Sequence, residues 1–410
     1  MLQDPCNRSE MVTLLATLMV LTVLVQTCHG QKIRTLLTGQ VDKDSNPLLK
    51  WFGEEPLVEG LFVPTRPGGV VEIEDIKRFV RIYFPRTYEE VRSHDFIMLH
   101  SPVMYHFSIN QVAWMYDAVG EGSGCLSSPS CMSVTPDIHD AWVGSILSRV
   151  VPNDCSSVLN AGGPLGEDYF QIRVNRDFPE PVLTPFIPLG IETFVGYKAY
   201  RIIPRQGAST LAWNLGSFEM EVPYMATWTF KEGRAMTLGD SFGLQFWSEY
   251  AHGYTQNMYG LDILMNMVLY LAKRTVPDEV LILHQMRLLF VQFRTNMDLL
   301  ITVADFAREF GANDRGIELV MGDLEEGYSE ARELYLLDQF DESREVMNSV
   351  LVDLGEAEGA IMRLKDRAMF WIYLVEWLVI SATLMISSTV IWTIMVNRRL
   401  YRAVKTTRSI

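Results

Sequence analysis

The chain has 410 residues, of which 48% are apolar and 21% are charged. It is too long for one ordinary domain and too hydrophobic for a disordered protein. Acidic residues outnumber basic ones by 50 to 35, and the net charge of −15 argues against a nucleic acid or an anionic lipid surface as the main partner, because both require a basic face.

The first apolar segment, Met11–Val25, has fifteen residues. This length is short for a membrane span and typical of the apolar core of a signal peptide. Small and polar residues follow it, so we predict a signal peptide over residues 1–30 with cleavage near Gly30. An uncleaved N-terminal anchor is the alternative interpretation of the same segment.

Residues 31–277 alternate strand-like and helix-like segments, which predicts one α/β domain. A short helical turn is predicted at Tyr88–Arg92 and a longer helix from the N-cap Ser108 to Val119. This strand–helix–strand order is typical of a right-handed βαβ unit, so a parallel sheet is expected. Four strands are predicted in this half of the domain: Leu57–Val63, Val80–Phe84, Asp95–His100 and Cys125–Ser127.

The second half of the predicted α/β domain contains shorter β-rich segments separated by glycine and proline. An apolar helix is predicted at Tyr259–Leu271. The β-rich segments are Tyr200–Ile203, Ala226–Phe230 and Ala235–Leu238.

Residues 278–368 change to a helical and acidic pattern. Between residues 278 and 366 there are 20 acids and 8 bases. Apolar residues at three- and four-residue spacing predict a helix from Val280 to Phe310, a second helix to about Asp338 and a third from Asp341. We therefore predict an acidic helical stalk built as a three-helix bundle, with the surplus acids on its solvated face.

The second long apolar segment, residues 369–396, is long enough to cross a bilayer. Its last twenty residues, Trp377–Val396, contain no charge, and aromatic residues mark both of its ends. The tail, residues 397–410, carries five bases and no acid, which places the C-terminus in the cytoplasm under the positive-inside rule. We predict a single-pass protein of the cell membrane with its N-terminal domain outside.

Three cysteines, Cys125, Cys131 and Cys155, remain after the predicted cleavage. An odd number permits at most one intramolecular disulfide, and Cys125–Cys131 and Cys131–Cys155 are the favoured pairs. No Cys-x-x-Cys occurs, and His94, His100 and His106 are spaced too widely for a tight metal loop. We therefore predict neither a metal site nor a cofactor.

Residues 239–243 read Gly-Asp-Ser-Phe-Gly, which matches the nucleophile elbow of serine hydrolases. Asp240 and Ser241 are therefore weak catalytic candidates, with Asp262 and His284 as an acid and a base in the required order. Too few residues separate Ser241 from His284 for the additional βα units that assemble such a triad. Cys131 is the other weak candidate, as a thiol nucleophile, although no oxyanion turn accompanies it.

The order of segments resembles class I glutamine amidotransferase-like domains. The resemblance covers about residues 56–275 and is carried by the segments 88–100, 107–124, 142–152, 233–240 and 251–274. It is closest to membrane-tethered, non-catalytic members of prokaryotic envelopes. The resemblance implies a flavodoxin-like parallel sheet with a crevice at its strand ends, where ligands commonly bind.

The chain departs from the catalytic pattern of that family at two places. Residues 127–131 read Ser-Ser-Pro-Ser-Cys where the family has a cysteine elbow, and residues 240–242 read Asp-Ser-Phe where it has His-x-Glu. We therefore expect a non-catalytic protein that binds a ligand or a protein partner, or acts in envelope assembly, with self-association left open. The alternative is an extracytoplasmic hydrolase or amidotransferase-like enzyme that uses Ser241 or Cys131.

Overall fold

The computed structural model describes residues 32–41, 47–66, 73–128, 136–155, 169–197, 199–200, 202–215, 221–242, 246–247, 257–309 and 315–407. The predicted signal peptide and Cys131 lie outside these residues. The chain divides into two compact units, which are described separately below. The first comprises residues 1–288 and 332–343, and the second comprises residues 289–331 and 344–410.

The described part of the first unit contains one sheet of nine strands in the order β2-β1-β3-β4-β9-β8-β7-β5-β6. The strands β2, β1, β3, β4 and β9 are parallel to one another, and the other neighbours are antiparallel. The predicted α/β class is confirmed, with an antiparallel half that the sequence did not predict. The strands are β1 Ile33–Gly39, β2 Val58–Pro64, β3 Phe96–His100, β4 Gly124–Ser128, β5 Tyr169–Val174, β6 Gly196–Tyr197, β7 Ser209–Leu215, β8 Val222–Phe230 and β9 Gly233–Leu238.

Six α-helices belong wholly to the described part of this unit. The predicted helix after Ser108 is confirmed: the Ser108 side chain and Gln111 form a reciprocal capping box at its first turn. The short helix at Tyr88–Arg92 is confirmed as well. The helices are α1 Leu48–Glu54, α2 Ile73–Tyr83, α3 Tyr88–Arg92, α4 Ile109–Gly120, α5 Pro136–Val143 and α6 Gly260–Leu271.

Two predicted strands are wrong. Val80–Phe84 lies mostly in α2, because Ile76, Val80 and Phe84 recur every four residues and all three are buried, as on one face of a helix. Tyr200, Ile202 and Ile203 lie outside any strand.

The core of the first unit has two layers, one on each face of the sheet. Strand β3 contributes to both, since Phe96 and Met98 belong to one apolar cluster and Ile97 and Leu99 to the other. This explains why its sequence is continuously apolar rather than alternating. The nearly all-buried helix α6 lies in the first of these clusters.

Three helices cover the acidic region that was predicted to form a stalk: α7 Val280–Glu309, α8 Arg315–Leu336 and α9 Phe340–Thr407. In the second unit, the buried residues of α7 and α9 recur at three- and four-residue spacing, which confirms the predicted helical periodicity. Tyr328 of α8 stacks on Phe293 with ring centroids 4.6 Å apart. The buried seam residues are Phe290, Phe293, Met297, Leu300 and Ala304 of α7 and Met347, Val350, Leu354, Ala357 and Ile361 of α9.

Helix α9 runs without a break from the acidic region into the apolar segment. Within the described residues, it is the one helix long and apolar enough to cross a membrane by length and composition. Its large apolar side chains are exposed, as shown by Trp377 at 71% and Leu384 at 63%. The same helix therefore contains both a packed, heptad-like seam and an unpacked apolar span.

Candidate functional site

The carboxyl ends of four parallel strands bring together the polar residues of the candidate site, here called the strand-end site. Strand β1 ends at Gly39, β3 at His100, β4 at Ser128, and β9 leads into Asp240. Strand β1 lies between β2 and β3 in the sheet. The chain therefore adds β2 on one side of β1 and β3, β4 and β9 on the other, and the strand order reverses at β1. In open α/β sheets, ligands bind outside the carboxyl ends of strands at such a reversal.

The backbone closes tightly at the ends of β1 and β3. Gly39 has a φ of +123°, and a Cβ at this position would overlap the backbone carbonyl of His100. The Gln40 N–H donates to that carbonyl at 2.7 Å. Ser101 also has a positive φ, +49°, and its N–H donates to the carbonyl of Ser128 at 2.8 Å. Backbone strain of this kind is concentrated at functional sites.

His100 is buried at the end of β3 and oriented by β4. Its Nδ1 lies 3.0 Å from the carbonyl oxygen of Ser128, and since a carbonyl can only accept, Nδ1 is the donor. The ring of Phe242 contacts the imidazole edge-on, with centroids 5.7 Å apart. The imidazole is therefore fixed in place between β4 and the segment that follows β9.

Asp240 is the most perturbed acid of the strand-end site. The Ser128 hydroxyl donates to its backbone carbonyl, and its side chain is buried. Burial raises the pKa of the Asp240 carboxyl well above its usual range, which a hydrogen bond from the Ser241 N–H only partly opposes. No salt bridge to Asp240 occurs within the described residues. A buried acid without a counter-charge at a strand end is a candidate functional group.

Ser241 follows Asp240, at the end of the confirmed strand β9. Within the described part of the chain, no hydrogen bond joins Ser241 to a histidine. His284 instead bonds to Asp262, with Nδ1 and Oδ2 2.7 Å apart. The structure thus brings together the predicted acid and base but does not connect them to the predicted nucleophile. Gly243, the last residue of the elbow motif, lies outside the described residues.

Asp262 and His284 belong to a buried ion cluster formed with Glu55, Arg287 and Tyr335. The Arg287 guanidinium donates to both Glu55 and Asp262, and the Tyr335 hydroxyl donates to Glu55 at 3.0 Å. Burial opposes the charge of Arg287, but the carboxylates of Glu55 and Asp262 outweigh it and raise the pKa of Arg287 well above its usual range. Such a network is typical of a structural ion cluster, in which each buried charge has a partner.

Of the two cysteines that the structure describes, one is a free thiol and the other is disulfide-bonded. Cys125 is a free thiol buried in β4, and burial raises its pKa to about 12. This excludes the predicted Cys125–Cys131 disulfide and a nucleophilic Cys125. Cys155 is disulfide-bonded, and its sulfur accepts a hydrogen bond from the Trp142 indole at 3.3 Å.

The three histidines spaced six apart do not form a metal site. The His94 ring bonds to the backbone carbonyl of Glu90, and burial lowers the pKa of His94. Burial also lowers the pKa of His106. Across the described ranges, no group of three metal-ligating side chains could hold an ion.

Sequence reasoning placed Asp240 and Ser241 at a strand end but missed the residues that surround them. Ser128 and His100 gave no motif, because their roles depend on the pairing of β3 with β4. Glu55 and Tyr335 gave no motif either, because the contacts that join them to the ion cluster link residues far apart in the sequence. Arg287 gave no sequence signal either, because a long helix does not reveal which of its arginines faces a distant carboxylate.

Comparison with known proteins yields weak similarities. No family model and no curated protein matches the chain. Two cytoplasmic proteins from Salmonella typhimurium share 13% and 14% identity with it, with TM-scores of 0.39 and 0.40, and each match covers 58% of this chain and 99% of the other. A GH42 β-galactosidase from Bacillus circulans sp. alkalophilus shares 12% identity, with a TM-score of 0.31, over 60% of this chain and 32% of the enzyme. These similarities assign no function.

Proposed function

We propose that the protein is a single-pass membrane protein whose α/β domain lies outside the cytoplasm and binds a ligand or a protein partner at the strand-end site. The observation that carries the proposal is Asp240, a buried acid without a described counter-charge at the end of a parallel strand. A buried carboxyl that keeps its proton can donate a hydrogen bond to a ligand that enters the crevice.

The strand order supports a flavodoxin-like assignment. Strands β2-β1-β3-β4-β9 follow the order 2-1-3-4-5 of flavodoxin-like sheets, with β9 in the fifth place. In such sheets the ligand lies at the reversal between the first and third strands. Gly39, His100 and Ser101 occupy the corresponding ends here. The same order fits the amidotransferase-like resemblance of the sequence.

Binding is favoured over catalysis because the described residues contain no nucleophile with a base. Ser241 has no bonded histidine, and His284 is committed to Asp262 in the ion cluster. The hydroxyl of Ser128 and the Nδ1 of His100 are both engaged with backbone carbonyls. An enzyme that uses Ser241 or Cys131 remains the alternative that the experiments must address.

The membrane assignment is supported by the exposed apolar span of α9. Side chains of this size rarely form a continuous exposed surface on a soluble protein, whereas a bilayer would cover them. Arg398, Arg399 and Arg402 follow the span and favour a cytoplasmic C-terminus. Glu376 lies within two turns of the outer end, where its carboxylate can reach the headgroups.

A protease-protection experiment tests the topology. Intact cells that express the chain with a C-terminal epitope tag are treated with an external protease. We expect residues 31–368 to be degraded while the tag stays protected until the cells are lysed. Loss of the tag from intact cells would contradict the proposed orientation.

A labelling experiment tests the absence of catalysis. The full chain in native membranes is treated with a fluorophosphonate probe and, separately, assayed for glutamine hydrolysis. We expect the signal to be equal in the wild type, Ser241→Ala, Cys131→Ala and the control Ser209→Ala, which changes an exposed strand serine. A signal that disappears only in Ser241→Ala or Cys131→Ala would establish the enzyme alternative.

A further inference from the structure

The geometry points to a second binding site in the first unit, for a carboxylate anion with an apolar body. The site is a cavity of about 540 Å³ between the end of α6, the start of α7 and the loop from α8 to α9. Pockets for small molecules have volumes of roughly 300–1,000 Å³. None of its lining residues belongs to the strand-end site, so the inference goes beyond the proposed function.

The walls of the cavity are apolar and its charged groups are mostly basic. Leu57, Leu269, Leu283 and Phe340 supply the apolar surface. Three basic side chains and one acidic side chain line it, namely Lys273, Arg274, Arg287 and Asp338. This combination of an apolar wall with a few placed cations matches a ligand that has an apolar body and one anionic end.

Arg274 is the cation best placed to supply net positive charge. Lys273 already donates to the backbone carbonyl of Glu232. The side chain of Arg274 has no hydrogen-bond or ion-pair partner among the described residues, and it is half-buried. A half-buried guanidinium that lacks such a partner can bind a carboxylate through two parallel hydrogen bonds.

Arg287 provides a rigid donor deeper in the same cavity. Its side chain is 5% exposed, and its bonds to Glu55 and Asp262 use Nε and Nη1. These two bonds do not use Nη2, and no other hydrogen bond to Nη2 occurs in the described chain, so its two N–H groups are available to a ligand. Because the two carboxylates offset the charge of Arg287, Nη2 acts as a hydrogen-bond donor, and a ligand oxygen would satisfy it.

Two residues at the cavity have the positive φ that usually requires glycine, although both carry side chains. Lys273 and Asp338 have φ values of +59° and +60° and stand just beyond the ends of α6 and α8. The Lys273 N–H donates to Tyr270 and the Asp338 N–H to Tyr335, as in glycine-capped helix ends. Four described non-glycine residues have positive φ, and two of them line this cavity, as expected of a ligand site.

Photoaffinity labelling of the full chain in native membranes tests the inference. The probe is a medium-chain diazirine carboxylic acid, with labelled peptides located by mass spectrometry. We expect labelling of peptides that contain Leu283 or Phe340, with competition by octanoate but not by octanol. Leu283→Trp, which fills the cavity, should reduce this labelling at least tenfold. Leu281→Trp, at a 51% exposed position of the same helix, should leave it unchanged.

Arg274→Gln gives an independent test at a half-buried position whose side chain has no hydrogen-bond or ion-pair partner among the described residues, and we expect at least a fivefold loss of labelling. Labelling confined to residues 369–396, or unaffected by both Leu283→Trp and Arg274→Gln, would overturn the inference. Equal competition by octanol would also overturn it, because the cavity would then not recognise the carboxylate.

Discussion

The strand-end site and the ion cluster both bury carboxyl groups in the first unit, and they differ in the charges that surround these groups. Asp240 is buried at a strand end without a described counter-charge, and its pKa is raised. Glu55 and Asp262 are buried with Arg287 between them, and Tyr335 and His284 add further hydrogen bonds. One acid is therefore isolated and the other two are paired.

The difference shows how the same residue type can serve two purposes. A paired cluster satisfies its charges internally and joins α6, α7 and the end of α8 to the turn before β2. An isolated acid has its hydrogen-bonding capacity left for a ligand. Stability measurements should distinguish the ion cluster from the isolated acid. Removing one charged partner of the cluster destabilises the fold, whereas removing the isolated buried acid does not.

The largest expected effect comes from Arg287→Met. It leaves Glu55 and Asp262 buried without their shared cation, so the free energy of unfolding should fall by about 3–5 kcal/mol. Chemical denaturation followed by tryptophan fluorescence measures the loss. The control Arg176→Met removes an exposed ion pair with Glu192 and should cost under about 1 kcal/mol. Equal effects of the two variants would show that the cluster does not hold the unit together.

Tyr335→Phe should have a smaller effect on the same cluster. It removes the hydroxyl that donates to Glu55 at 3.0 Å, and hydrogen bonds to charged groups contribute about 1.5–3 kcal/mol. The same denaturation experiment, with the exposed Tyr105→Phe as control, measures this loss. If Tyr335→Phe matched the control, the contact with Glu55 would carry no net stability.

The fold was predictable where a pattern and its context agreed. Strand β3 is a short apolar run bounded by Asp95 and Ser101, and α4 begins at a capping box, so both were predicted within one or two residues. Helix α2 was misread because only its last, apolar turn resembled a strand. Strands β5 and β7 were missed. The antiparallel partner β7 is distant in the sequence from β5, so no local pattern indicated that β5 joins the sheet.

The candidate site was predictable only in part, because burial and long-range contacts leave no local sequence pattern. The elbow motif identified Asp240 and Ser241, but burial of Asp240 arises from packing that no motif records. The contact of Arg287 with Glu55 joins residues 232 positions apart. A long helix with an acidic surface gives no sign that one arginine faces inward to a carboxylate so far away in the chain.

The smallest expected effect, counted per pH unit, is on the pH dependence of stability, from Asp240→Asn. The pKa of Asp240 is raised in the folded state above its unfolded value of about 4. The contribution of Asp240 to the free energy of unfolding is therefore fully present below about pH 4 and is lost as the pH rises towards the folded pKa. This one group can lower the free energy of unfolding by at most about 1.4 kcal/mol per pH unit. Asp240→Asn should remove that slope and be the more stable protein at neutral pH. Parallel pH profiles for the two proteins would contradict an isolated acid.

Infrared difference spectroscopy tests most directly whether Asp240 is an isolated acid that keeps its proton. The wild type and Asp240→Asn are compared at neutral pH in the full chain, with Glu55 and Asp262 present in both. We expect the carbonyl band of a protonated carboxylic acid in the wild type and its loss in Asp240→Asn. A difference spectrum that contains only the bands of an ionised carboxylate would contradict the account of the strand-end site.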